Sequence, residues 1–333
     1  MPVLQPKVTP LPPGIDLSGK TAVITGASAG LGLETARQLL ALKCSTVILA
    51  VRNISKGGTC KESLQRDPEI KKINPNATIK VLKLDVDRYD SVQDFTKVLQ
   101  QGVPVVNILI LNAGISNITF SRSPNGHENH LQINYLSNVI LLAELLPYLE
   151  ASAEIAGFPT RITWVGSRMH DTMNSFTKKA PIKRSESVLE RMDSKEAHLP
   201  YNRYGDSKLL CAMFMYTLAP RLDTNKVIIN MICPGMIDTG LTDSLPVYLR
   251  LPVNVLKALR ARPLQVGGWL IVNAAVVAGP ESHGRHLGDK DILNVSEYIR
   301  SPAGQEVQRK LWVETMEEMQ KLTSLPVQFV VEK

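Results

Sequence analysis

The chain has 333 residues, 44% of them hydrophobic and 21% charged, enough apolar material for one large α/β domain or two small ones. Lysine and arginine outnumber aspartate and glutamate by 38 to 31, a formal charge of +7, yet the cations are scattered. An anionic small molecule or a plain solvated surface accounts for that charge, and no nucleic-acid partner is expected. The cysteines Cys44, Cys60, Cys211 and Cys233 form no CxxC and no zinc-like Cys/His spacing. They are expected to be reduced thiols, mostly in the core, in a cytoplasmic protein without a metal site.

From the N-terminus, residues 1–17 are rich in proline and lack a basic start followed by an apolar run, which suggests an extended arm rather than a signal peptide. Short apolar runs at Thr21 to Thr25, Thr46 to Val51, Ile79 to Leu84, Val105 to Leu111, Arg161 to Val165 and Val227 to Ile232 predict strands. Between them, Leu31 to Leu42, Ser55 to Arg66, Ser91 to Leu99, Glu128 to Leu149 and Asn202 to Leu222 have helical spacing, and Gln265 to Val277 follows the last strand. Nearly continuous apolar strands alternating with helices imply right-handed βαβ units and a parallel sheet covered on both faces. No linker divides the middle, so a single doubly wound α/β domain is expected over residues 18–300, followed by a helical extension at 301–333. The most apolar segment, Val266 to Ala278, is too short to span a bilayer and contains Gly267, Gly268 and Asn273. No integral membrane segment is expected.

The turn TGASAGLG, Thr25 to Gly32, lies between the first strand and the first helix. Its spacing is G-x-x-x-G-x-G rather than G-x-G-x-x-G, but its place is the one a dinucleotide site requires. A helix N-terminus presents unpaired N–H groups to a pyrophosphate, and glycine lets the backbone come close. Ser28 offers a hydroxyl to the same phosphates. The second strand ends Ala50-Val51-Arg52-Asn53, where an NAD-selective protein usually places an acid for the ribose 2′-OH. Arg52 would instead pair with the 2′-phosphate of NADP, with Lys56 adding charge. Further along, Tyr204 and Lys208 are four apart and share a helix face. Ser167 follows the fifth strand, where carboxyl ends line a ligand crevice.

Taken together and in order, these motifs resemble the short-chain dehydrogenase/reductase family from about Asp16 to Gly288. The resemblance is carried by Asp16-Leu17-Ser18-Gly19-Lys20, the glycine turn, Asp85-Val86, Asn112-Ala113-Gly114, Asn134, Ser167, Tyr204 with Lys208, and Pro234-Gly235 with Thr239. The Arg52 strand end and Ser167-Arg168-Met169-His170 are similar to retinol-dehydrogenase-like members, and the general style to fungal secondary-metabolism reductases. The resemblance implies a Rossmann domain with a mostly parallel seven-stranded sheet, and an NADP(H)-dependent oxidoreductase of the ketoreductase type. It implies Tyr204 as general acid in reduction, Lys208 as its electrostatic partner and ribose ligand, Ser167 as holder of the substrate oxygen, and Asn134 as positioner of a relay water. The implied cofactor-binding set is Gly26, Ser28, Gly30, Leu31, Gly32, Arg52, Asn53, Asp85, Val86, Asn112, Gly114, Tyr204, Lys208, Pro234, Gly235, Ile237 and Thr239.

Two departures stand out. The family often has two serines where this chain has Gly166-Ser167, and the stretch between Ser167 and Tyr204 is long. Residues 173–198 are charged and weakly periodic, so a mobile surface insertion is expected, with a lid as the alternative; His170 is expected to be a satisfied loop histidine or a substrate contact. The proposed substrate loop, 236–262, carries Met236, Leu241, Leu245, Val247, Tyr248, Leu249, Leu251, Val253 and Leu256. These suit a bulky apolar ketone or alcohol, or cover the core or a homodimer interface. A non-redox lyase, epimerase or cyclase on the same scaffold, or a cofactor-sensing binding protein, stays open as an alternative.

Overall fold

The computed structural model describes residues 5–177, 181–183, 185–240 and 245–330. Its centre is an eight-stranded sheet in the order β3-β2-β1-β4-β5-β6-β7-β8. The strands are β1 (Thr21–Thr25), β2 (Thr46–Val51), β3 (Thr78–Lys83), β4 (Ile108–Leu111), β5 (Thr160–Val165), β6 (Val227–Cys233), β7 (His286–Gly288) and β8 (Asp291–Ile292). The expected seven strands become eight because the chain turns back after Gly288 and adds two-residue β8 antiparallel to β7. Lys290 and Asp289 make that reversal at positive φ, and two residues give too little periodicity to be read as a strand. The other seven strands pair in parallel.

Alternate residues of the strands go to two separate cores, as strand pleating requires. Ala22, Ile24, Ile108 and Ile110 meet α1 (Gly30–Ala41), α2 (Ile54–Arg66), α3 (Pro68–Ile73) and α10 (Leu264–Val272). Val23, Leu109, Leu111, Ile162 and Trp164 meet α4 (Tyr89–Gly102), α5 (Ser137–Ala156), α8 (Arg203–Leu218) and α12 (Pro302–Gln320). Helix α12 contributes Leu311, Trp312 and Met316 to this second core, with the Trp312 ring stacked 5.3 Å from Phe214. Residues 131–136 form a wide π-helical turn leading into α5. Among the described residues no helix is long and apolar enough to cross a membrane. All four cysteines are buried and unpaired.

The segment 173–198 corrects the expectation of a mobile surface insertion. Residues 178–180 and 184 lie outside the described residues; among the others Met173, Pro181, Lys183, Ser185, Glu190, Lys195 and Glu196 are exposed, but several apolar side chains anchor the segment to the core. Phe176, Val188 and Met192 are fully buried, the last two on α7 (Val188–Asp193) beside α12. The Glu314 carboxylate of α12 accepts hydrogen bonds from the Val188 and Leu189 amides and the Ser187 hydroxyl, neutralising the exposed N–H groups of α7. At the far end, Arg203 donates to the Ala197 carbonyl and the Met192 sulfur. High charge concealed the few apolar anchors. Met192→Ala should therefore lower unfolding free energy by about 2–5 kcal/mol, read from denaturant titration at unchanged m-value. A surface segment would give a change near zero.

Candidate active site

The first strand delivers the chain to the glycine turn. Gly26 and Gly30 have φ of +67° and +51°, the left-handed region that other residues enter at a cost. A Cβ on Gly32 would lie 2.6 Å from the Asn112 amide nitrogen and 2.7 Å from the Gly26 carbonyl oxygen. The turn therefore closes directly on the end of β4. Asn112 ties it there through Nδ2 to the Thr25 carbonyl (2.8 Å), while Thr25 Oγ1 accepts the Asn112 and Ala113 amides. Ala29 precedes α1 in extended conformation without side-chain capping, so the first amides of α1 stay available to an anion. Thr239, after β6, lies 3.7 Å from where a Gly30 Cβ would be. Leu31 and Ile237 meet against Gly267 of α10. Widely separated parts of the sequence thus converge on one crevice at the carboxyl ends of the strands.

Helix α8 brings Tyr204 and Lys208 to the same crevice. The Lys208 ammonium is 5.7 Å from the Tyr204 ring centroid and donates to the Val165 carbonyl at 2.9 Å. Burial pushes the Tyr204 phenol well above its usual value, against a downward pull from a hydrogen bond with the Ser167 side chain. Burial pushes the Lys208 ammonium down. The phenol is thus a held proton, not a preformed phenolate, in the protein alone. Asn134 is fully buried in the π-helical turn; its Oδ1 accepts the Ile115 amide at 2.8 Å and its Nδ2 donates to Ser207 Oγ at 2.9 Å. A Cβ on Gly114 would lie 3.0 Å from Asn134 Oδ1 and 3.7 Å from Lys208 Nζ. Asn134, Gly114 and Lys208 are therefore immediate neighbours.

The short chain dehydrogenase family model matches residues 20–168. Over 98% of both chains, the sequence is 62% identical to a protein of Aspergillus niger named short chain dehydrogenase yanD. It is 61% identical to short chain dehydrogenase macD of Penicillium terrestre, again over 98% of each. The chain belongs to the short-chain dehydrogenase family. The fold is also that of L-sorbose reductase from Gluconobacter frateurii, solved with NADPH and L-sorbose, at 20% identity and a TM-score of 0.61 over 84% of this chain and 99% of that one.

In this short-chain dehydrogenase, Gly166 packs against Met231, so a side chain at 166 would require Met231 to shift. A Cβ there would lie 2.6 Å from the Met231 side chain and 3.2 Å from His286 Nε2. His170 is buried on a short helix rather than in a loop, and its Nδ1 lies 2.6 Å from the Ser167 carbonyl oxygen, so the ring has a structural partner. Other predicted ligands sit further out. Arg52 is exposed at the end of β2. Asn53 caps α2, accepting the Lys56 amide at 2.9 Å, so its side chain has a structural occupation. Asp85 accepts the Asp87 amide, and the Val86 carbonyl accepts the Ser137 hydroxyl at 2.6 Å, fastening that strand end to α5. Gly235 has φ of +81° and lies against Gln5 and Arg262, whose guanidinium donates to the Pro234 carbonyl. The N-terminal arm thus braces the start of segment 236–262.

Sequence reading missed Lys83, whose ammonium sits 2.5 Å from the Arg52 carbonyl oxygen. It also missed Ser207, which holds Asn134. Neither belongs to a local motif, because each contact crosses between elements. Of the expected substrate loop, Leu241 and the side chains of Val247 and Leu249 lie outside the described residues. Helix α9 (Val247–Arg260) exposes Tyr248, Leu251, Val255 and Leu259, each more than 60% accessible.

Proposed function

We propose that this short-chain dehydrogenase is an NADP(H)-dependent oxidoreductase acting on the carbonyl or alcohol of a bulky apolar substrate, in the ketoreductase direction. The observation that carries the proposal is the convergence of a proton-bearing Tyr204, the Lys208 ammonium and Ser167 beside a glycine turn in which Gly26 and Gly30 have positive φ and Gly32 is packed on Asn112. The turn suits a dinucleotide: the α1 amides would receive the pyrophosphate, and Thr239 lies alongside. Arg52 with Lys83 supplies positive charge where the adenosine 2′-phosphate would lie. When bound, the nicotinamide supplies or accepts the hydride.

The chain's own residues do the rest. Ser167 Oγ and the Tyr204 hydroxyl hold the substrate oxygen from two sides. As negative charge builds on that oxygen in reduction, Tyr204 gives up its proton, and the nearby Lys208 ammonium stabilises the phenolate left behind. Asn134 holds the backbone at Ile115 and the α8 face at Ser207, which keeps a proton route beside Lys208. The apolar residues of the substrate loop favour a large hydrophobic partner over a sugar or small acid.

Incubation with NADPH and a panel of bulky apolar ketones tests this, following cofactor absorbance and product mass together. Loss of NADPH in step with a product two hydrogens heavier is expected. A rearranged or cleaved product without cofactor consumption would instead establish the lyase, epimerase or cyclase alternative.

A further inference from the structure

Between Tyr204 and Lys208 stand Gly205 and Asp206, which belong to no cofactor or substrate contact described above. Both face the segment that follows Ser167. A Cβ on Gly205 would lie 2.8 Å from the carbonyl oxygens of Met169 and Met173, so α8 and the short helix α6 (Met169–Thr172) touch backbone to backbone. Asp206 is only 1% exposed. Its Oδ1 accepts the Ser175 amide at 2.5 Å and its Oδ2 the Ser175 hydroxyl at 3.0 Å. One turn earlier, Asn202 Nδ2 donates to the Met173 carbonyl at 2.6 Å. Within the segment, Asn174 Nδ2 donates to the His170 carbonyl at 2.7 Å, and His170 returns to the Ser167 carbonyl.

Hydrogen bonds from Ser175 to Asp206, from the adjoining Asn174 to His170, and between His170 and the Ser167 carbonyl therefore connect α8 to the backbone at Ser167. We propose that Asp206 is a positioning residue that holds the 167–175 segment, and with it the Ser167 hydroxyl, in register with Tyr204 and Lys208 on its own helix. The inference rests on the catalytic reading of those three residues. Burial lifts the Asp206 carboxyl to about 6, opposed by the Ser175 amide and by Arg203 on the same helix and Arg191 on α7. A charge at this position is thus disfavoured for stability. Its two acceptor oxygens nonetheless match the two donors of Ser175, and an asparagine can retain both contacts by accepting the amide and donating to the hydroxyl.

The test compares Asp206→Ala, Asp206→Asn and Ser175→Ala on the full chain, with kcat expressed per NADPH-binding site. Asp206→Ala should lower kcat about fivefold or more, because small displacements of a reacting group are costly, while NADPH Kd stays within about twofold. Amide exchange over residues 167–175 should quicken in the same variant, a readout independent of turnover. Asp206→Asn should restore most of the rate with a Tm at or above wild type at pH 7. If Asp206→Ala does not fold, Ser175→Ala, which removes one donor, should reproduce part of the kcat loss and the quickened exchange. Unchanged kcat per binding site in the folded variants, even with a lowered Tm, overturns the inference. Tyr204→Phe on the same substrate separates the two levels. Loss of activity there with full activity in Asp206→Ala overturns only the positioning role, whereas retention there overturns the catalytic reading and the positioning role with it.

Discussion

Tyr204→Phe is expected to reduce turnover by at least about a hundredfold while NADPH binding is kept. The substitution removes one oxygen and leaves the ring in place on α8, so packing around Lys208 is preserved. What is lost is the only phenolic proton beside the Lys208 ammonium in the described site, and general acid–base groups contribute about 10²–10⁴-fold. Burial keeps that proton on the phenol in the protein alone, so the group is ready as an acid for reduction. In the reverse direction the phenol must ionise, and the raised phenol value predicts oxidation that strengthens as pH rises. Stopped-flow reduction of a verified ketone, together with fluorescence titration of NADPH, measures both quantities. Near-wild-type reduction by Tyr204→Phe would remove the proposed mechanism. Intact binding with abolished turnover would separate the enzyme from a protein that only senses its cofactor.

Much of this organisation could be read from the chain because it is local. A strand, a glycine turn and a helix occur in sequence order at Thr21 to Ala41, and the start and end of β2 match the expected Thr46 and Val51. Tyr204 and Lys208 sit one helical turn apart, so their shared face follows from helix geometry alone. The errors arose where distant contacts decide. The segment 173–198 looks solvated by composition, yet Phe176, Val188 and Met192 bury themselves against α8 and α12, elements whose nearness no local pattern reveals. Strand β4 begins at Ile108 rather than Val105; the Asn107 side chain and backbone are already committed to Thr21, accepting its amide and donating to its carbonyl. Gly166 and Gly205 carry no distinguishing pattern either, since what a side chain would meet there is Met231 in one case and the Met169 and Met173 carbonyls in the other.

Arg52→Asp should shift the ratio of NADPH to NADH affinity by at least about tenfold towards NADH. In the proposed complex the guanidinium faces a 2′-phosphate, and a hydrogen bond to a charged group contributes ~1.5–3 kcal/mol, where about 1.4 kcal/mol is tenfold in affinity. Aspartate removes that attraction and adds repulsion of the same phosphate, while offering its carboxylate to the ribose 2′-OH of NADH. The fold is expected to tolerate the change, because Arg52 is exposed and the neighbouring cap, Asn53 to Lys56, is untouched. Exposure also means that salt screens the interaction. The wild-type preference for NADPH should therefore narrow between low and high ionic strength, and the variant should respond far less. Lys83, held on the Arg52 carbonyl, and Lys56 keep positive charge near the strand end after substitution, so residual NADPH binding is expected rather than none. Titration of both cofactors against both proteins at two salt concentrations measures the shift, and a wild-type protein that prefers NADH would show that Arg52 does not select the phosphate.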